Sequence, residues 1–147
     1  MNLEEQIQQD IKAAMLAKEK VRLESLRGIK SAILLAKTSG ESHQITDADI
    51  VKMIQKLVKQ RKESAEIYKQ QNRLELAENE LMEAGFMEIY LPKQMSETEI
   101  EAQLKQIITT VGATGPQDMG KVMGVATKQL AGKADGKVIS ALVKKLL

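Results

Sequence analysis

Apolar residues recur along this chain at three- and four-residue steps, the spacing that gathers them on one side of an α-helix, and no stretch shows the two-residue alternation of a strand. Leu3, Ile7, Ile11 and Met15 predict a first helix. Leu23, Leu26, Ile29, Ile33 and Leu34 predict a second, from Val21 to Lys37, which Thr38-Ser39-Gly40 stops with turn-forming residues. A polar loop from Thr38 to Ile45 follows and carries His43. Thr46 is then placed to cap a third helix, with Asp47 and Asp49 in the first turn, where the helix dipole favours anions. Its apolar stripe is Ile50, Met53, Ile54, Leu57 and Val58. Asn72 with Glu75 reads as the cap of a fourth, acidic helix whose apolar side is Leu74, Leu81, Met82 and Ile89, and Pro92 ends it.

Ser96 and Glu99 have capping-box spacing ahead of Ile100, Leu104, Ile107, Ile108 and Val111, so a new helix begins after Pro92-Lys93-Gln94-Met95. That connector is the expected domain boundary, with an N-terminal helical domain over 1–93 and a C-terminal helical bundle over 96–147. Gly112 and Gly115 mark a turn, and Pro116 suits the first position of a helix running through Val122, Met123 and Ala126 to near Ala131. Asp135 then caps a last helix with Val138, Ile139, Leu142, Val143 and Leu146. The expected fold is all-α and multihelical, about seven helices, with N-terminal helical hairpins followed by a small C-terminal bundle.

Composition narrows the function classes. At 147 residues the chain has room for one sizeable core or two small adjoining ones. Aromatic residues are 2% of the chain, so the rings on which RRM and OB-type readers stack bases are missing, and any contact with nucleic acid must be mainly electrostatic. The absence of cysteine excludes disulfides, thiolate metal sites and thiol nucleophiles. No Gly-rich loop opens between a strand and a helix, which argues against P-loop and dinucleotide folds. The start Met1-Asn2-Leu3-Glu4-Glu5 lacks the basic residues and apolar run of a signal peptide, and no window approaches the roughly 18 apolar residues of a membrane span. The expected location is cytoplasmic, with no membrane partner.

The net charge of +2 hides a strong polarity. Seven basic residues face two acidic ones from Lys52 to Arg73, eight glutamates face Lys93 from Leu74 to Glu101, and six lysines face Asp118 and Asp135 from Gly112 onwards. Lys52, Lys56, Lys59 and Lys62 form a basic stripe on the third helix. Arg61 departs from it: four residues beyond Leu57 it falls on the apolar side, at the rim of the core, and so needs a carboxylate, Glu78 or Glu80.

Two short strings near the C-terminus carry the candidate binding chemistry. In Asp118-Met119-Gly120-Lys121-Val122-Met123-Gly124, two glycines four residues apart inside a helix cost about 1 kcal/mol each relative to alanine, so something should offset them. Close packing of another helix across Gly120 and Gly124 is one account; backbone access for a phosphate beside Lys121 is the other. In Gly132-Lys133-Ala134-Asp135-Gly136, Lys133 precedes a helix N-terminus, whose N–H groups and dipole favour an anion, and Lys137 follows in its first turn. The same string also reads as a glycine-ended helix followed by an Asp cap, with lysine in solvent. Lys128, Lys144 and Lys145 are further basic candidates.

These strings resemble the signature of the GatB/YqeY domain family, and Arg27-Gly28-Ile29-Lys30-Ser31-Ala32, Lys59-Gln60-Arg61-Lys62-Glu63-Ser64 and Ile89-Tyr90-Leu91-Pro92 extend the resemblance to its stand-alone bacterial members over essentially the whole chain. The resemblance implies a C-terminal module, Glu101 to Leu147, similar to the tail of the B subunit of the tRNA-dependent amidotransferase, which helps hold misacylated tRNA while other domains do the chemistry. It implies a tRNA-associated binding module, non-catalytic alone, with Lys121, Lys133 and Lys137 as phosphate-contacting residues and Gly120, Gly124, Gly132 and Gly136 shaping the backbone. Partners would be tRNA, and amidotransferase subunits or another protein. Two other readings stay open: an auxiliary of carbon–nitrogen ligase activity with glutamine as amide donor, and a helical protein–protein adaptor.

No catalytic residue, metal site or cofactor is expected. Ser31 and Ser64 lie mid-helix without a histidine base nearby in sequence, and His43 in a polar loop reads as a solvated side chain. The glutamates from Glu75 to Glu88 read as a solvated face or partners for Arg61 rather than cation ligands.

Overall fold

The computed structural model describes residues 1–39 and 44–147, so His43 lies outside the described residues. Among the described residues the regular structure is helical throughout, as the spacing predicts: α1 (Leu3–Leu16), α2 (Lys20–Lys37), α3 (Asp47–Gln70), α4 (Leu74–Glu88), α5 (Glu97–Val111), α6 (Met119–Gln129) and α7 (Gly136–Leu146), with one 3-10 turn, Pro116–Asp118, leading into α6. The chain divides into two compact units, Met1–Leu91 and Pro92–Leu147.

In the first unit the helix starts are chemically specified. Asn2 Oδ1 accepts from Glu5 N–H (2.8 Å) at α1. At α3, Thr46 Oγ1 accepts from Asp49 N–H (3.2 Å) while the Asp49 carboxylate accepts from Thr46 N–H (2.9 Å), a full capping box. The core joins Ile7, Ile11 and Ala14 of α1 to Leu26, Ile29 and Ile33 of α2, to Ile50, Ile54 and Val58 of α3, and to Ala84 and Met87 of α4. Each such large aliphatic side chain contributes about 1.5 to 3 kcal/mol by leaving water.

Some details differ from the sequence expectation. Met15 is exposed and Ala14 takes its place inside, because steps of four residues precess around a helix of 3.6 residues per turn and a three-residue step is needed to return to the core. Leu34 is exposed because, one position past Ile33, it lies about 100° further around the helix. Asn72 is not a cap. It adopts φ +59°, a left-handed conformation that Asn tolerates better than most residues, and ends α3; Arg73 holds the N-cap position of α4 without a side-chain hydrogen bond.

The largest difference is the face that α4 buries. The expected stripe, Leu74, Leu81, Met82 and Ile89, is exposed, and the buried side is Ala77, Glu83, Ala84 and Met87. Alanines at 77 and 84 let α4 lie close along α3, its most extensive partner, and turn its carboxylates toward Arg61.

In the second unit Ser96 Oγ accepts from Glu99 N–H (3.2 Å) and donates to Glu99 Oε1 (3.2 Å), starting α5. Gly112, at φ +70°, closes the same helix in the left-handed conformation. Ile100, Leu104 and Ile107 pack with Val122, Ala126 and Leu130 of the α6 segment and Ile139 and Val143 of α7.

Candidate nucleic-acid interface

Helix α6 buries Val122 and Ala126, with Leu130 just beyond it, against the second core. At 100° per residue, that leaves Gly120 and Gly124 on the opposite side, and both are exposed. A Cβ built at either position meets nothing within 4 Å. Among the described residues of the second unit no helix packs across these glycines, so close helix packing does not account for them. Their effect is to leave the α6 backbone uncovered by a side chain at two exposed positions about one turn apart. Lys121 and Lys128, both exposed, run along one edge of this strip, and Thr127, whose Oγ1 donates to the Met123 carbonyl (2.7 Å), along the other.

The α6–α7 junction is a braced turn. Leu130 O accepts from Lys133 N–H (3.0 Å) and Ala134 N–H (3.2 Å), and Gly132 sits at φ +77°, where a side chain would be strained. The connector holds the turn from outside: Gln94 Nε2 donates to Gly132 O (2.7 Å) and Met95 N–H to Lys133 O (2.9 Å). This fixes the backbone from which the exposed Lys133 side chain projects. Lys137, also exposed, follows in the first turn of α7, and the neighbouring Gly136 again faces open space. Asp135 Oδ1 accepts from Lys137 N–H (3.1 Å), so this helix N-terminus already carries a carboxylate. An incoming phosphate would be attracted by the Lys133 and Lys137 side chains while the capping carboxylate repels it from the backbone donors.

Thus Gly120, Lys121 and Gly124 share the solvent face of α6, while Gly132, Lys133, Gly136 and Lys137 cluster around the turn that follows. Lys144 and Lys145 extend the basic character along α7, where they lie in the last turn, favourable for cations.

The first unit contains a second polar constellation that sequence reasoning caught only in part. Arg61 Nε lies 2.9 Å from Glu83 Oε2 and 3.7 Å from Glu80 Oε2. Glu80 is a partner that the sequence predicts; Glu78 is exposed on the far side of α4, and the closer partner, Glu83, is not among those predicted. Its position three residues after Glu80, on the side marked by Ala77 and Ala84, is the signal that could have found it. Burial, above all, holds the Glu83 carboxyl above the usual carboxylate range, with Glu80 and Glu24 adding to the effect and Arg61 opposing it. Ser25, fully buried, donates to the Glu83 carbonyl (3.2 Å), and a Cβ placed at Gly28 of α2 would stand 3.6 Å from the guanidinium. These groups bind α2, α3 and α4 to one another. Tyr90 makes a further tie, donating to Asp10 Oδ2 (2.5 Å) on α1; burial first, and this hydrogen bond second, raise its hydroxyl pKa. Among the described residues no three His, Asp or Glu side chains gather in a way that could hold a metal ion.

The family model for Yqey-like protein matches residues 4–147. The chain belongs to the YqeY-like family. The resemblance read from the motifs therefore holds at the level of the family. Among its relatives, three fungal proteins each carry the name "Altered inheritance of mitochondria protein 41, mitochondrial". That of Kluyveromyces lactis is 30% identical over 94% of this chain and 72% of its own length. That of Lachancea thermotolerans is 30% identical over 75% of this chain and 60% of its own length, and that of Meyerozyma guilliermondii 32% identical over 81% and 64%. The chain thus spans less than two thirds of the latter two relatives. Fungal relatives named as mitochondrial lend no support to a bacterial origin or to a simply cytoplasmic location. Among the described residues no helix is long and apolar enough to cross a membrane.

Proposed function

We propose that this YqeY-like chain is a tRNA-associated binding module that grips RNA through its phosphates and performs no chemistry alone. The observation that carries the reading is the solvent face of α6: two helical glycines with nothing packed on them, edged by Lys121 and Lys128. Bare backbone beside lysine lets a bulky anionic strand approach closely without sacrificing the buried side of the helix. Lys133 and Lys137 at the following turn extend the same basic surface, and six lysines against two acidic residues from Gly112 onwards give it a positive field. The GatB/YqeY resemblance supplies tRNA as the polyanion, and amidotransferase subunits, working with glutamine as amide donor, as the setting in which such a module would act as an auxiliary. On this reading the chain works wherever tRNAs are aminoacylated, in the cytoplasm or in an organelle.

Titration of the full chain with tRNA over a range of salt tests this. Log affinity should fall linearly with log salt, by about 0.7 to 0.9 per neutralised phosphate. Lys121→Ala, Lys133→Ala and Lys137→Ala combined should weaken binding and flatten the slope by about 2 to 3, with helix content unchanged. Folded tRNA should compete better than duplex DNA of equal length. No binding at low salt, where such contacts are strongest, would overturn the reading.

A further inference from the structure

Helix α4 faces outward with the side that its sequence marks as apolar. Leu74, Leu81, Met82 and Ile89 are 63%, 40%, 53% and 64% exposed, and at helical spacing they fall on one face together with Glu78 and Gly85. Gly85 lies in the middle of the strip, and a Cβ there would meet nothing within 4 Å, so the backbone of a visitor can come close. The helix is fixed from behind by the pairing of Arg61 with Glu83 and Glu80, and at its end by the Lys62–Glu88 ion pair (2.7 Å). It presents this face as a rigid ridge.

Charge selects the visitor. Residues Leu74–Glu88 include five glutamates and no lysine or arginine. Glu80, Glu83 and Glu88 are answered within the unit, whereas Glu75 and Glu78, beside the apolar strip, enter no ion pair among the described residues. A second copy pairing α4 against α4 would bring only carboxylates to these carboxylates. An anionic lipid surface or a nucleic acid would be repelled by them. A helix with a matching apolar stripe and basic edges satisfies both features, packing helix against helix along the exposed stripe, and Met82 gives the surface some adaptability.

We propose that the exposed face of α4, Leu74 to Ile89, is a docking surface for an amphipathic helix of another protein that carries lysine or arginine along the edges of its apolar stripe. This stands apart from RNA binding by the second unit, and either can fail alone.

The test uses the full chain, isotope-labelled for amide spectra, and a synthetic peptide of about 18 residues, five turns of helix, with leucines at three- and four-residue steps flanked by lysine and arginine. A matched peptide carries glutamate in place of every basic residue. The basic peptide should bind with a dissociation constant of about 10 to 100 μM and shift amides of 74–89. Leu81→Ser with Met82→Ser, both exposed and therefore harmless to the fold, should weaken binding about tenfold. Glu75→Lys with Glu78→Lys should reverse the preference toward the acidic peptide. Equal binding of both peptides, or shifts away from α4, would overturn the proposal. So would concentration-dependent dimerisation, or binding to phosphatidylglycerol vesicles, that the Leu81→Ser, Met82→Ser pair abolishes, since either would assign the face to a second copy or a lipid surface.

Discussion

Helices α4 and α6 both break the ordinary rule for a surface helix, and they break it in opposite directions. In α4 the inside is unusual: a carboxylate, Glu83, is buried while leucine, methionine and isoleucine face solvent. In α6 the inside is ordinary, Val122 and Ala126, and the outside is unusual, with backbone laid bare at Gly120 and Gly124. An inverted interior has to be held by specific pairing, and Arg61 supplies it. An unusual exterior needs no internal support, and its cost is helix propensity, about 1 kcal/mol per glycine. The first unit's peculiarity is thus tied to its stability; that of the second can be removed without harm to the fold.

The largest expected effect follows from that difference. Arg61→Met leaves Glu83 and Glu80 in a partly buried seam without their cation and should cost about 1 to 3 kcal/mol in urea denaturation. Removing the carboxylate as well, in Arg61→Met with Glu83→Met, should return most of the loss, because the apolar replacement carries no desolvation penalty. Lys121→Met in the second unit, like Lys52→Met on the solvent side of α3, should stay within about 0.5 kcal/mol. A similar loss for Arg61→Met and Lys121→Met would erase the contrast between the units.

Tyr90→Phe should cost about 0.5 to 1.5 kcal/mol by deleting the hydrogen bond to Asp10, measured in the same denaturation experiment. A smaller effect concerns pH. Because burial raises the Glu83 pKa in the folded state, its contribution to stability is full below the ordinary value of 4.5 and is lost as pH rises through the folded value. Glu83→Gln removes this titration. The stability of the native chain relative to Glu83→Gln should therefore decline from pH 4 upward, and a difference that grows with pH would show that Arg61 outweighs burial.

Most of the fold was legible because the local signals agree with the packing. Thr46, Ser96 and Asp135 start the helices they were expected to start, and the apolar residues of α3, α5 and α7 largely face their cores. In α4 they do not agree. Its apolar residues and its alanines define two different faces, and periodicity favours the larger side chains; what decides is the close approach to α3 and the demand of Arg61, both of which are tertiary. The need for a carboxylate could be read from the position of Arg61 relative to Leu57, but not which side of α4 would answer it. Asn72 is ambiguous in the sequence because capping and left-handed turns favour the same residue. At Gly120 and Gly124 the sequence marks two costly residues without saying whether a helix or solvent lies over them, and only the three-dimensional surroundings separate those cases.

If α6 forgoes stability at its glycines to let a polyanionic strand approach, the double variant Gly120→Ala, Gly124→Ala, measured for denaturation and for tRNA affinity on the same preparation, should trade one for the other. Both added methyl groups enter open space. The variant should be more stable by about 1 to 2 kcal/mol and bind tRNA about fivefold more weakly. Raised stability with unchanged affinity would contradict it, because the glycines would then serve no approach at all.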